Sequence, residues 1–192
     1  MFDMGPYFLT ALITLLGPAK RVSGSTRITF PTRTITSKPL DGTVIPVETS
    51  THLAGTVDFE NGAIASVIMS FDVWANNLPR IEIHGTRGSL SVPDPNRFDG
   101  EVLFRGPNST EWTSVRSRHR EDAARGIGVA DLAVAITSGR QHRANGELAA
   151  HVVDIMQAFD ESSKAGKHIE LTTRCDQPAA LPPGLAAGEL DR

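Results

Sequence analysis

The order of apolar patterns predicts an α+β fold, an open, mostly antiparallel β-sheet with helices packed on one face. Strand-like segments crowd the middle of the chain, from about residue 21 to residue 115, and their connections are short. Stripes of helical period occur only near the two ends. Strands segregated from helices in this way favour a sheet with helices on one side, and short connections favour antiparallel neighbours. The first and last helices are then expected to share one face, leaving the other for an oligomer contact.

The first element is the stretch MFDMGPYFLTALITLLG at residues 1–17. Asp3 is the expected N-cap, because a carboxylate there accepts a first-turn backbone N–H. With that cap, Pro6 takes the third helical position and Gly5 is the expected donor. Leu9, Leu12, Ile13 and Leu16 form one apolar stripe, and Gly17-Pro18 is a stop signal. Residues 21–30 follow as a strand. Residues 32–46, with Pro39, Asp41-Gly42 and Pro46, read as a loop or short strands with turns.

Residues 51–73 give the clearest strand signal. Leu53, Val57 and Phe59 alternate, and Asn61-Gly62 marks a hairpin in which both residues tolerate positive φ. In the second arm Ala63, Ala65, Val67, Met69, Phe71 and Val73 are apolar, and Ile64 and Ile68 interrupt the polar positions between them. A sheet wet on one face alternates more cleanly. This strand is therefore expected to be covered on both faces, or on its second face by another subunit. Residues 79–85, 89–92, 101–105 and 111–115 complete the strand series. Helices return near residue 120. Val129, Leu132, Ala133 and Ile136 share helical spacing within 127–138, and Leu148, Val152, Ile155, Met156 and Phe159 form the stripe of a helix over 147–165. Residues 168–172 read as an edge strand. The domain is expected to occupy 1–172, with 173–192 as a Pro/Ala-rich extended tail without a core of its own.

A length of 192 residues suits one domain, and 40% hydrophobic with 21% charged residues is globular composition. The net charge of −3, without an evident basic face, argues against nucleic acid as a partner. The apolar run 7–16 is shorter than the ~20 residues of a membrane span, and Asp3 stands where a secretory signal carries basic residues. The single cysteine, Cys175, cannot form an internal disulfide and suits a reducing cytoplasm. The six histidines lack zinc-like spacing, so no metal is expected. His151 stands beside Asp154 but off the apolar stripe, and is expected to be exposed or to support another group. Gly126-Ile127-Gly128 lacks the third glycine of a dinucleotide fingerprint, since Asp131 occupies that position and no strand precedes it. Residues 116–125, RSRHREDAAR, read as a solvated connector. Asn108-Ser109-Thr110 matches a glycosylation acceptor that is expected to be idle.

Asp3 and Tyr7 are four residues apart, a spacing that places both on one face of a helix. A carboxylate and a phenol together can hold and deprotonate a substrate hydroxyl. The plainer alternatives are a cap and a packed aromatic. Nothing in front of Asp3 completes such a site, so a preceding domain is expected to be absent from this chain.

Four stretches, FDMGPY (2–7), DFENGAIA (58–65), IEIHGTRGSLSV (81–92) and AFDESSKAGKHIEL (158–171), together resemble the C-terminal substrate domain of the glucose–fructose oxidoreductase/inositol dehydrogenase/MocA (Gfo/Idh/MocA) family. The resemblance implies hydride transfer between NAD or NADP and a CH–OH group of a sugar, inositol or related polyol. It also implies homodimers or homotetramers built through the sheet face. The family's Rossmann domain and its lysine have no counterpart in this chain, so no cofactor is expected on it and the isolated chain is expected to be inactive. The family's aspartate maps onto Asp3, while Tyr7 stands where the family usually has histidine. Tyrosine ordinarily titrates near 10 and needs a nearby cation to act as a base, so Tyr7 either replaces that histidine or only orients substrate. Trp74 and Asn76, just beyond the long strand, are candidate substrate-binding residues, with an ordinary loop as the alternative. Two other readings are a non-catalytic, sheet-mediated dimerisation or binding module left by loss of the Rossmann domain, and a small-ligand binding domain without redox chemistry.

Overall fold

In a computed structural model, residues 1–116, 125–185 and 189–191 are described. The elements run α1 (Gly5–Leu16), β1 (Ala19–Arg27), β2 (Thr32–Thr34), β3 (Val44–Pro46), β4 (His52–Phe59), β5 (Ile64–Ser70), β6 (Ile81–Gly85), β7 (Gly88–Val92), β8 (Val102–Arg105), β9 (Thr113–Val115), α2 (Ile127–Ser138), α3 (Gly146–Ala165) and β10 (Ile169–Glu170). Every strand pair is antiparallel. The α+β class read from the sequence holds. The strands divide into sheets ordered β10-β1-β4-β5, β2-β3 and β6-β7-β8-β9. The residues form two compact units, unit 1 (Met1–Ala75 with Gly146–Gln177) and unit 2 (Asn76–Asn145 with Pro178–Arg192). The expected start of a helix near residue 120 and most of the 116–125 connector lie outside the described residues.

Unit 1 is a four-stranded sheet with α1 and α3 on one face. In register, Val22 faces Val57, Gly24 faces Gly55 and Thr26 faces Leu53 across β1 and β4. Phe159 of α3, fully buried, lies over the two glycines. A Cβ on Gly24 would stand 2.6 Å from Phe159 Cδ1, and one on Gly55 would stand 2.9 Å from Phe159 Cε1 and 2.1 Å from Ser23 O. The missing side chains are the space the ring fills. Leu148, Val152, Ile155 and Met156 join Leu9, Ile13, Val22, Leu53, Val57 and Phe59 in one core, as the helical stripes predict. Where β10 ends, α3 serines continue the ladder: Gly24 N–H donates to Ser162 Oγ (3.0 Å) and Thr26 N–H to Ser163 Oγ (2.9 Å). Those β1 donors would otherwise be unsatisfied against a covered face.

Several expectations need correction. Met4, not Asp3, is the N-cap of α1, without a side-chain bond, and Pro6 stands at the second helical position. Gly5 N–H donates to Met1 O at 2.7 Å, a backbone turn that meets the need the carboxylate was expected to serve. The β4–β5 hairpin is a three-residue loop in which only Gly62 has positive φ (+88°). Asn61 contributes through its side chain, accepting Ala63 N–H and donating to Leu16 O at the end of α1. The second face of β5 is open within this chain, with Ile64 71% exposed and Ile68 52% exposed. Residues 173–177 are not free tail: Cys175 is in the unit 1 core and Gln177 donates to Thr14 O. In unit 2, α2 turns the opposite way from its apolar stripe. It buries Asp131 and Ala135 and leaves Val129 and Ile136 each 73% exposed. Arginine bonds to Asp131, described below, set that rotation.

The glycine gap makes a ranked prediction for equilibrium urea unfolding. Phe159→Ala is expected to cost about 3–5 kcal/mol, as for a large aromatic removed from a core. Gly24→Ala is expected to be destabilising and to be partly relieved by Phe159→Leu, whereas Gly55→Ala, which meets backbone, is not relieved. Equal relief at both positions would contradict the packing described.

Candidate functional site

Asp3 lies in the turn that leads into α1, and Tyr7 on its first helical turn. Both side chains are exposed, Tyr7 at 38%. Because the helix uses a backbone turn and Met4 at its start, the Asp3 carboxylate is not consumed as a cap. The start of α1 is nonetheless held firmly. Gly5 is buried, and a Cβ there would meet Met1 Sδ at 2.5 Å and Met156 Sδ at 3.3 Å. Below it, Leu9 and Ile13 are sealed in the core. A carboxylate and a phenol are therefore presented to solvent from the start of a fixed helix, an arrangement suited to binding hydroxyl groups.

Trp74 lies next to the end of the first segment of unit 1, Met1–Ala75, and is 96% exposed. The backbone just before it is anchored. Asp72 Oδ1 accepts from Arg33 Nη2 (2.6 Å), its Oδ2 accepts from Thr51 Oγ1 (2.7 Å), and its N–H donates to Ser70 Oγ (3.0 Å). Arg33 Nη2 also reaches Phe71 O at 3.2 Å. Hydrogen bonds from Thr29, Thr51 and Arg33, with the Arg33 charge, hold the Asp72 carboxyl below its usual range against the opposing effect of burial. Asn76 begins unit 2, where its Oδ1 accepts from Leu78 N–H at 3.1 Å. Asp3 thus precedes α1 while Tyr7 lies within it, so the expected placement of both on one face of a helix does not hold as such, and Trp74 and Asn76 fall in separate units.

His151 departs most from its sequence reading. It is fully buried, at 0% exposure. Its Nε2 accepts the Ala19 N–H at 3.0 Å, so that nitrogen carries the lone pair. Nδ1 then holds the proton and donates to Thr173 Oγ1 at 3.0 Å. Thr173 Oγ1 passes its own hydrogen to Asp154 Oδ2 at 2.8 Å, which also accepts the N–H groups of Thr172 and Thr173, both at 2.9 Å. Burial lowers the His151 pKa, although Asp154, the Thr173 bond and Glu60 oppose it. Burial pushes the Asp154 carboxyl up, but its bonds to Thr173 and Thr172 outweigh that and hold it below the usual range. With both ring nitrogens committed, His151 joins the α1–β1 junction to α3 and residues 172–173 and does not serve as an acid or base. Its i, i+4 distance from Ile155 and i, i+8 distance from Phe159 was the sequence signal for burial.

The described residues contain no group of three His, Cys, Asp or Glu side chains placed to hold a metal ion. No described helix is long and apolar enough to cross a membrane. Gly126 precedes α2 with φ +106°, but no described strand leads into it and Asp131 is occupied by arginines. The Gly126 turn therefore does not form the dinucleotide fingerprint.

Residues 1–91 match the family model described as the GFO/IDH/MocA C-terminal domain. No curated protein matches the chain. Among solved structures, apo levoglucosan dehydrogenase is 21% identical with a TM-score of 0.72, covering 90% of this chain and 51% of that one. An NAD binding oxidoreductase from Klebsiella pneumoniae is 19% identical with a TM-score of 0.69, covering 89% and 50%. Levoglucosan dehydrogenase in complex with NADH and levoglucosan is 22% identical with a TM-score of 0.67, again covering 89% and 50%. The chain spans about half the length of these structures. Its fold is that of the C-terminal domain of Gfo/Idh/MocA oxidoreductases.

The His151 pKa is lowered on folding, so the native state binds fewer protons than the unfolded chain around and below pH 6.5. Stability is expected to be full above about pH 6.5, the unfolded histidine value, and to decline as pH falls toward the folded value. Asp154 adds a separate loss at lower pH, as its carboxylate protonates. His151→Ala is expected to cost about 1–3 kcal/mol through the orphaned Ala19 N–H and to flatten the upper part of the profile. Urea midpoints measured from pH 8 to pH 4 check this, and an unchanged slope in the variant would contradict the assignment.

Proposed function

We propose that this chain is the substrate-binding half of an NAD- or NADP-dependent oxidoreductase acting on a CH–OH group of a sugar, inositol or related polyol. The carrying observation is the exposed Asp3–Tyr7 pair at the fixed start of α1, within the segment that matches the family model. In this reading Asp3 accepts a hydrogen bond from a substrate hydroxyl and fixes its orientation. Tyr7 donates to or accepts from a second oxygen and positions the same carbon. Trp74, in the same unit, offers an aromatic face to the apolar side of a sugar ring, while Asn76 belongs to the other unit and is a separate candidate for a substrate contact. Hydride chemistry belongs to the nicotinamide, and in this reading the cofactor is bound by a domain outside residues 1–192. The twofold greater length of the similar structures supports this, as does the NADH named in three of the levoglucosan dehydrogenase complexes. The lone cysteine suits a cytoplasmic setting.

A second role rests on a different observation. The open face of the unit 1 sheet carries exposed Ile64 and Ile68 on β5, beside Thr56 and Ala54 of β4 and Ser23 and Ser25 of β1. The same face carries Asp58 opposite Ile64, paired with Arg21, and His52 opposite Ser70; two exposed isoleucines among small and polar neighbours suit a second copy of the chain, giving a homodimer or, by repetition, a homotetramer. On its own that face also suits a non-catalytic assembly module.

Sedimentation and thermal-shift measurements on the 192-residue chain test both roles. We expect an assembly larger than a monomer, broken by Ile68→Lys, with no stabilisation by NAD or NADP and no reduction of NAD or NADP by any polyol. Sugars that stabilise the chain are expected to bind about tenfold or more weakly to Asp3→Asn, since a charge-assisted hydrogen bond is worth about 1.5–3 kcal/mol, with Tyr7→Phe weaker by a smaller factor. Turnover of a polyol by the chain alone would overturn the proposal that its nucleotide site lies elsewhere.

A further inference from the structure

In unit 2 a buried carboxylate orients two arginines. Asp131, 5% exposed, accepts Arg140 Nη2 (2.7 Å) and Arg143 Nη1 (2.6 Å) on Oδ1, and the Arg143 backbone N–H (2.8 Å) on Oδ2. Both guanidinium side chains are largely covered, at 20% and 18% exposure. Arg140 Nη1 donates to Gln141 O (3.1 Å), and other donors of the pair meet the C-terminal segment. Arg143 Nε donates to Ala179 O (2.8 Å), Arg143 Nη2 to Asp191 Oδ2 (2.8 Å), and Arg140 Nε to Asp191 O (3.2 Å). Two cations thus face two carboxylates, one fixed beneath them and one carried on the chain's end.

Asp191 fills its place incompletely. Its Oδ1 is buried without a hydrogen-bond partner and stands 3.9 Å from Arg140 Nη2. Arginines commonly take both oxygens of a carboxylate, yet here only Oδ2 is bonded. A side chain tethered by its own backbone is held short of the position a free carboxylate could reach. Without Asp191 the bracket would keep two guanidinium charges against one carboxylate in a partly desolvated place, which favours an incoming anion.

We propose that Arg140 and Arg143, oriented by Asp131, form a carboxylate-binding site that Asp191 occupies in cis, and that a small-molecule carboxylate takes the same place by displacing residues 189–191. The site is distinct from the Asp3–Tyr7 pair and does not rest on the oxidoreductase reading. Asp131 is the positioning residue, and the two arginines make the contacts.

Asp191→Gly removes the equivalent of one acetate, so acetate is the probe. Calorimetric titration of the 192-residue chain is expected to show acetate binding at least about tenfold tighter in Asp191→Gly than in the unsubstituted protein, a difference of about 1.4 kcal/mol. The gain is expected to be lost in Asp191→Gly/Arg143→Gln and not reproduced by chloride at equal ionic strength. In the unsubstituted protein, higher acetate is expected to shift the Nε–H resonances of Arg140 and Arg143. No gain in Asp191→Gly, a gain that survives Arg143→Gln, or an equal effect of chloride would each overturn the proposal. If Asp191→Gly does not fold, the resonance titration decides alone, and arginine signals that do not respond to acetate would overturn it.

Discussion

Unit 1 depends on one aromatic ring set against two facing glycines. Phe159 can lie flat on β1 and β4 only because Gly24 and Gly55 are paired in register and carry no side chains. That contact sets the distance between α3 and the sheet. The helix must come close enough for Ser162 and Ser163 to reach the β1 backbone, and those bonds replace the ladder where β10 stops. Glycine in a strand is intrinsically unfavourable, by entropy and by lost packing. Here the cost is offset by a ring that would otherwise have no room, and the sheet gives up two side chains to gain one large one.

The same helix gathers distant parts of the chain. On one side of α3, Met156 receives the start of α1 at Gly5. One turn earlier, His151 receives the Ala19 N–H, where α1 has ended and β1 begins. Asp154 then fixes Thr172 and Thr173 through four hydrogen bonds. Asn61 and Gln177 add bonds to the last turn of α1 at Leu16 O and Thr14 O. The first helix is thereby held at its start, along its apolar stripe and at its end. A side chain on that helix, such as Tyr7, inherits a defined position even when it is exposed.

The sequence made the architecture legible wherever one apolar stripe dominated. The alternation in 52–59, the Leu148–Phe159 stripe and the edge strand near 169 all fall where periodicity places them. It failed where a polar group outweighed the stripe. On α2, Val129, Leu132 and Ile136 promised a buried face, but two arginines beyond the helix draw Asp131 inward, and the isoleucine and valine turn out. His151 was misread for the converse reason, since a polar residue beside a carboxylate looks solvated until a backbone N–H from 132 residues away is seen to need it. Such partners are long-range and leave no local pattern. The candidate site was legible only in part. The Asp3 and Tyr7 types and their spacing were visible, but the Asp72 anchor before Trp74, built from Arg33 and Thr51, was not.

The two aspartates near helix starts show how context divides one residue type into different tasks. Asp131 is buried on α2, bonded by two guanidiniums and a backbone N–H, with both carboxylate oxygens engaged. Asp3 is open to water at the entrance to α1, relieved of capping by the Met1–Gly5 backbone turn. A carboxylate already satisfied by the protein can orient its neighbours but has little left to offer a ligand. One left unsatisfied by the fold, on an element that cannot move, keeps its hydrogen-bonding capacity for whatever binds. The chain spends its buried carboxylate on architecture and keeps its exposed one free, and that division ties the functional reading to Asp3.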